Sequence, residues 1–409
     1  MTTALPLPVG PGRAAVHGEV AGRTVVLHYG DPLAEHAALR TGAMLVDRSF
    51  RGRMRLSGPR AAEVLTGLVT NDVKGLPAGH GQYAAALTAK GKIVADLRIF
   101  AMAAPGATSD GAAPESLLID APPRAAAAWA DMVRKYVNPR LASYRDESAA
   151  LCDFGVFGAQ ARHAVDRAFG VGAAAIGALP PYGHVTALVD GVAVTIARVP
   201  DLEIEGFELL IPADAAPALW RRLADAGGVT PGGLVAWDVA RVEAGRPEWG
   251  IDIDENTLPQ EANFDELHAI SYTKGCYVGQ ETVARVHFRG HVNRHLRGLR
   301  FEVPAAADAI VGAASPVARA DDTELPPPRA PLFDESGKSV GDVRSAALSP
   351  RFGPIALAMV RRELAVGDSV VVRWGGDAGG DGATPAAAAS TTPVARELRA
   401  TVTALPFGR

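Results

Sequence analysis

Cysteine is almost missing from this chain. Only Cys152 and Cys276 occur among 409 residues, so a disulfide framework is excluded as an organising principle. Two thiols also cannot supply the four thiolates that usually hold an iron–sulfur cluster within one chain. Lysine is scarce too, confined to Lys74, Lys90, Lys92, Lys135, Lys274 and Lys338 in an arginine-preferring sequence. The formal net charge is only -4, so no strong basic field draws the chain to nucleic acid or an anionic membrane. What remains is a local basic patch at Arg285, Arg289, Arg294, Arg297 and Arg300, interleaved with His287, His291 and His295. Gly290 interrupts that histidine spacing and no carboxylate joins it, so surface histidines are expected there rather than metal ligands. No segment reaches the length of a transmembrane helix free of charges and turn residues. Met1 to Gly12 lacks a charged region followed by an apolar run, so no secretory signal is expected and the default location is cytoplasmic.

The length allows two or three domains and a sizeable core. Residues 1–23 begin with a Pro- and Gly-rich stretch and read as a flexible N-terminus. Thr24–Tyr29 reads as a strand and Leu33–Leu39 has helical spacing. Ala43–Asp47 and Met54–Gly58 read as a strand pair. Gly58-Pro59 opens a helix with Ala62, Val64, Leu65 and Leu68 on one stripe. Gln82–Leu87, the turn at Lys90-Gly91 and Ile93–Phe100 form a hairpin by the usual signals. Pro122–Val137 is amphipathic, with Trp129, Met132, Val133 and Tyr136 on one face. Val192–Val199 and Glu208–Ile211 are strand-like, whereas Ala213–Ala226 and Leu234–Glu243 are helical. Beyond Leu296 the pattern is all-β, with strands near Gly341–Ser345, Ile355–Val360, Ser369–Arg373 and Arg399–Leu405. Three low-information stretches, Ala104–Glu115, Ala306–Pro328 and Gly375–Thr392, read as surface loops. Composition and periodicity alone thus support mixed α and β followed by all-β.

One stretch carries more information than any other: Lys274-Gly275-Cys276-Tyr277-Val278-Gly279-Gln280-Glu281. Val283 and Val286 suggest a helix opening near Gly279. A thiol ahead of a helix N-terminus and near a lysine sits where a dipole and a cation favour thiolate. The alternative is a glycine-rich turn around an inert cysteine. Those eight residues resemble the signature of the folate-binding YgfZ/GcvT family, in its YgfZ branch. The other main branch is the aminomethyltransferase T-protein of glycine cleavage. Gly58-Pro59, Thr70-Asn71-Asp72-Val73, Lys90-Gly91-Lys92 with Ala95-Asp96-Leu97, and Arg241-Val242-Glu243-Ala244-Gly245 followed by Trp249-Gly250-Ile251-Asp252 are similar to further family segments.

The resemblance implies an α+β fold in three lobes around a channel. Two interleaved α+β lobes over 24–295 would form the folate-binding domain, and 296–409 a C-terminal β-barrel domain. It implies tetrahydrofolate, or a one-carbon-substituted folate, as the bound cofactor. Asp96 stands where the T-protein branch has an aspartate doublet that holds the pterin and assists methylene transfer. One acid of that doublet survives here, and a carboxylate accepts hydrogen bonds from an aminopterin well. Arg241 is implied to contact folate through its planar guanidinium, with Glu243 structural. Trp249 and Tyr83 could stack on the ligand or fill core. The T-protein run Arg-Thr-Gly-Tyr-Thr-Gly-Glu is here Arg198 to Glu208, of which only Arg198 and Gly206-Phe207-Glu208 remain. The acid that would face the pterin is Glu205 or Glu208. Cys276, with Lys274 lowering its pKa, would be a redox-responsive or nucleophilic thiol. Gly275 and Gly279 are backbone necessities beside Tyr277, and Gln280 and Glu281 would order the loop or meet a partner.

The resemblance leads first to a cytoplasmic tetrahydrofolate-binding protein acting in assembly or repair of iron–sulfur enzymes. Its partners would be iron–sulfur client or assembly proteins, and tRNA modification would change indirectly. The alternative is a tetrahydrofolate-dependent aminomethyltransferase of the T-protein kind. A third reading is an interaction scaffold without folate.

Overall fold

The computed structural model describes residues 14–104, 113–302, 325–375 and 396–408. The chain divides into two compact units, one of Met1–Arg241 with Glu248–His291 and one of Val242–Pro247 with Val292–Arg409. The sequence places one boundary at 295/296. The six residues Val242–Pro247 instead go with the second unit.

Two large antiparallel-rich sheets, with a two-stranded pair of Val16–Val20 and Arg23–His28, build the first unit. The five-stranded sheet runs in the order Gly81–Leu87, Ile93–Met102, Ser116–Ala121, Gly52–Ser57, Ser143–Asp146. The six-stranded sheet runs His184–Val189, Val192–Arg198, Gly206–Pro212, Leu151–Phe157, Ala43–Asp47, Val229–Pro231. Only the last pair of this second sheet is parallel. The expected hairpin over Gln82–Phe100 is present, with Ala85 opposite Asp96 and Tyr83 opposite Arg98. The expected pairing of Ala43–Asp47 with Met54–Gly58 is corrected. Ala43–Asp47 pairs with Leu151–Phe157, and Gly52–Ser57 pairs with Ser116–Ala121 in the other sheet. The short link between these strands carries Arg48 and Arg51, with Arg53 in the strand that follows, and the chain changes sheets there.

Side chains alternate across each strand, so each sheet has two apolar faces to cover. One face of the five-stranded sheet packs against helix Ala126–Tyr136, burying Trp129, Met132 and Val133 with Leu65 and Leu97. One face of the six-stranded sheet is covered by helices Ala161–Phe169 and Ala216–Ala224, with Trp220 edge-on to Phe154 at 5.0 Å. The remaining faces meet each other, Phe100 and Leu118 of one sheet sharing a core with Met44, Ala197 and Leu210 of the other. Full burial of each of the larger of these, Phe100, Leu118, Met44 and Leu210, stabilises by about 1.5–3 kcal/mol.

His184 heads the edge strand of the six-stranded sheet and is 3% exposed. Burial lowers its pKa from 6.5 to about 4, against the opposing pull of the Tyr182 and Ala101 carbonyls. The folded state therefore holds the ring neutral while the unfolded chain protonates it below pH 6.5. Its contribution is present above that value and lost as pH falls through 4, a change of about 3 kcal/mol. Urea unfolding at pH 7 and pH 4.5 should show the drop, and His184→Phe should flatten it.

In the second unit, Arg294–Phe301, Gly353–Arg361, Ser339–Ser349, Pro331–Phe333, Ser369–Trp374 and Arg396–Thr403 close into a six-stranded barrel. Leu299, Val343, Ala358, Val372 and Val402 fill its interior. Closure leaves no unpaired sheet edge. Glu243 belongs to this unit: its carboxylate accepts from Ser349 Oγ at 2.5 Å and its carbonyl from Phe407 N at 2.9 Å. The stretches 306–324 and 376–392 of the expected surface loops, and 105–112 of the first, lie outside the described residues.

Candidate active site and its buried charge layer

Asp96 lies on the return strand of the hairpin and points to the inner face, 7% exposed. Tyr83 Oη donates to Asp96 Oδ2 at 2.7 Å. The Tyr83 ring is parallel to Tyr182 at 6.3 Å and tilted on Phe264 at 5.4 Å, so the phenol that holds the carboxylate is itself packed among aromatics. The Thr70-Asn71-Asp72 turn locks this corner. Asn71 Nδ2 donates to the carbonyls of Tyr83 (3.0 Å) and His268 (2.9 Å), and Thr70 Oγ1 donates to Ala269 O at 2.6 Å. The Lys90-Gly91-Lys92 turn is held likewise, with Ile93 N on Thr257 O and Lys92 Nζ on Asn256 O. Family-like segments far apart in the sequence thus fix one corner of the first unit.

Next to Asp96 on the same faces lies a layer of buried charge that the sequence did not disclose. Arg48, Arg51, Arg53 and Arg98 meet Asp120, Asp153, Asp201 and Glu208, every side chain 8% exposed or less. Arg98 bonds Asp201 at 2.6 Å and also Glu208, Arg48 reaches Glu208 at 3.1 Å, and Arg51 bonds Asp120 at 2.6 Å. Arg48 also stacks on Trp237 at 3.8 Å. Burial, reinforced by Glu208, pushes the Asp153 carboxyl well above the usual carboxylate range, against the pull of Arg53. Four guanidinium groups thus face four buried carboxyl groups. Asp96 is the next carboxylate, and its charge acts on Arg51. A raised acid pKa contributes stability below the unfolded value and loses it as pH climbs toward the folded one. Asp153→Asn should therefore match the parent near pH 4 and gain on it by about 1 kcal/mol by pH 8 in denaturant melts.

The other residues singled out from the sequence fall as follows. Arg241 is buried on helix Leu234–Glu243, its fork taken by Asp238 (2.8 Å) and Asp252 (2.7 Å), with Glu248 at 3.7 Å. Those carboxylates raise its pKa over the opposing effect of burial. Trp249 is partly buried between two core clusters, and its indole Nε1 has no hydrogen-bond partner among the described residues. Glu208 sits in the charge layer, and Glu205 pairs with Arg162 at 2.6 Å. Cys276 is exposed. Lys274 Nζ donates to three backbone carbonyls at the end of helix Ala61–Thr66: Thr66, Val69 (2.5 Å) and Asn71 (3.1 Å). It lies 4.5 Å from the centroid of the Tyr277 ring. Burial lowers the Lys274 pKa to about 8, with Asp72 opposing. Its work is therefore to cap a helix end with positive charge. Lys274→Met should cost about 2–3 kcal/mol in urea unfolding, because three carbonyls lose their donor.

Gly279 has φ +83° at the start of helix Gln280–Arg289, and a Cβ there would stand 2.5 Å from Thr88 O. Glycine is required at that point. Gly275 has open space around it. Gln280 Oε1 accepts from Tyr277 N at 3.1 Å, ordering the loop, and exposed Glu281 pairs with Arg285 at 2.8 Å. Burial, with Asp265, pushes the Tyr277 phenol up to about 12. His287 stacks on Tyr272 at 3.6 Å.

The fold defines a class: a two-sheet α+β unit with a buried Tyr–Asp pair, followed by a closed barrel. A crystal structure of glycine cleavage system aminomethyltransferase T from Bartonella henselae shares it, with TM-score 0.75 and 23% identity, covering 96% of this chain and 94% of that one. The chain belongs to the family described as GCVT N-terminal domain, which its residues 12–271 match, while residues 316–380 match the Glycine cleavage T-protein C-terminal barrel domain. Among relatives, a Nostoc protein named aminomethyltransferase is 31% identical over 84% of both chains. A Saccharopolyspora erythraea protein of the same name is 28% identical over 85% of this chain and 87% of its own. A Rubrobacter xylanophilus protein, also so named, is 30% identical over 87% and 86%. These relatives correct the reading in which the protein acts in iron–sulfur enzyme assembly with effects on tRNA modification. They stand with the alternative. No helix among the described residues is long and apolar enough to cross a membrane.

Proposed function

We propose that this protein is a tetrahydrofolate-dependent aminomethyltransferase of the glycine-cleavage T-protein kind. The observation that carries the reading is the Tyr83–Asp96 pair on the hairpin, in a chain whose relatives over most of its length are named for that activity. The likeness to the YgfZ branch rests on residues 274–281, of which Lys274, Gly279 and Gln280 here hold backbone. Tetrahydrofolate, when bound, supplies the amine nitrogens that accept the one-carbon unit.

The residues at the Asp96 corner fit such a ligand. Asp96 is an acceptor whose hydroxyl partner Tyr83 belongs to an aromatic cluster with Tyr182 and Phe264. Tyr83 fixes the carboxylate through Oδ2, so its direction is set before substrate arrives. A carrier-bound aminomethyl group becomes more cationic as its bond to sulfur breaks. Buried Asp96 would supply negative charge to such a centre, and preorganised charge acts most strongly where water is excluded. The Arg51 guanidinium, on which the Asp96 charge acts, favours an anion at that position. Arg241, with its fork already filled by Asp238 and Asp252, holds the segment that presents Trp249.

The test is reconstitution with an aminomethylated lipoyl carrier protein and tetrahydrofolate, following methylenetetrahydrofolate by coupled NADP reduction. Turnover dependent on both substrates is the expected result. Folate binding measured calorimetrically without any turnover would overturn the proposal.

A further inference from the structure

The stretch Lys274–Gln280 stands out in the sequence, yet the chemistry assigned to Asp96 makes no use of it. In the fold it grips the hairpin that carries Tyr83 and Asp96, and it does so at both ends of the strand Gly81–Leu87. At one end Lys274 Nζ gathers the carbonyls of Thr66, Val69 (2.5 Å) and Asn71 (3.1 Å), and Val278 N donates to Gly67 O at 3.1 Å. The turn so held is bonded to the strand. Thr70 N donates to Ala85 O and Ala85 N to Thr70 Oγ1, both at 2.8 Å, and Asn71 Nδ2 donates to Tyr83 O at 3.0 Å. At the other end Gly279 packs on the hairpin turn, where a Cβ would stand 2.5 Å from Thr88 O, and one on Gly91 would stand 2.7 Å from Thr282.

A chain of bonds therefore runs from the lysine to the candidate acid. Lys274 Nζ holds Asn71 O, Asn71 Nδ2 holds the Tyr83 carbonyl, and Tyr83 Oη donates to Asp96 Oδ2 at 2.7 Å. Charge makes the lysine the decisive member. Carbonyl oxygens that converge on one point repel each other unless a cation sits among them, and an ammonium brings both the charge and a donor for each. With an apolar side chain there, buried acceptors face one another and the turn must open to find donors. Asn71 moves with the turn, while close backbone packing at Gly91 and Gly279 keeps the far end of the hairpin in place. The displacement falls on Tyr83.

We propose that Lys274 is a positioning residue for the Tyr83–Asp96 pair: through the Thr66–Asn71 turn it fixes the strand from which the Tyr83 hydroxyl directs the Asp96 carboxylate. The kinetic consequence rests on the aminomethyltransferase reading, and the structural one on the hydrogen bonds alone.

The test compares Lys274→Met with Val165→Ala in the full-length protein. Val165 is buried under the other sheet on helix Ala161–Phe169, so its truncation lowers stability away from the hairpin. At a temperature where both variants are folded, Lys274→Met should lower kcat for methylenetetrahydrofolate formation by about 10²-fold, with KM for tetrahydrofolate within about threefold. Val165→Ala should keep the parent kcat. Tyr83→Phe removes the hydroxyl through which Lys274 acts, so in that background Lys274→Met should cost less than about threefold. A readout without turnover is NMR of tyrosine isotope-labelled at Cζ, the Tyr83 signal being identified by its loss in Tyr83→Phe. Lys274→Met should shift that signal and Val165→Ala should leave it in place. Equal kcat losses in the parent and Tyr83→Phe backgrounds, or an unmoved Tyr83 signal, would each overturn the proposal. A parent protein without turnover would overturn the transferase reading instead, and the Tyr83 signal would still decide this one.

Discussion

Asp96→Asn is expected to lower kcat for methylenetetrahydrofolate formation by about 10²–10³-fold, with KM for tetrahydrofolate changed by less than about tenfold. The amide has the shape of the acid and still accepts from Tyr83 Oη, so the corner stays built. What disappears is the negative charge. An interaction made more strongly in the transition state than in the ground state shows itself in kcat rather than KM. Steady-state rates with the aminomethylated carrier held saturating decide the matter. A kcat within threefold of the parent would show that Asp96 only shapes the pocket.

Arg98→Met is expected to destabilise the first unit by about 3–5 kcal/mol, read as a fall in the urea midpoint of tryptophan fluorescence. Arg98 touches Asp201 and Glu208 together and also faces Asp120. Its loss leaves those carboxylates in a space without water and with too few cations. The reason is desolvation, not the strength of any one pair. A companion variant separates this from a packing defect: Arg98→Met with Asp201→Asn and Glu208→Gln removes both stranded charges. It should recover more than half of the lost stability. If the triple variant is no better than the single one, lost packing accounts for the effect.

Much of the fold can be read from residue order because its strongest elements obey local rules. The Gln82–Phe100 hairpin is marked by a Lys-Gly turn between apolar runs, and helix Ala126–Tyr136 by a face carrying Trp129, Met132 and Val133. The pairing of Ala43–Asp47 is not local. A short link ordinarily joins neighbouring strands, but here Arg48 and Arg53 must reach acids on both sheets, so the chain crosses between them. The charge layer is hidden for a related reason. An arginine or aspartate in a strand reads as solvated until its partner, 110 residues away for Arg98 and Glu208, is known to face it. One signal was present: Arg53, Arg98, Asp120 and Asp153 all fall on the inward phase of apolar strands. Lys274 misleads similarly. Its neighbour in sequence is Cys276, but its ammonium is committed to carbonyls more than 200 residues earlier.

The barrel is assembled from two stretches of chain, and the earlier one, Val242–Pro247, is made some 45 residues before the strand at Arg294. During synthesis Glu243 leaves the ribosome well ahead of Ser349 and Phe407, the residues that will bond to it. A fragment begun at Val292 would contain every barrel strand and still lack the carboxylate that Ser349 needs. Anyone wishing to produce this lobe by itself should graft residues 242–247 back onto it.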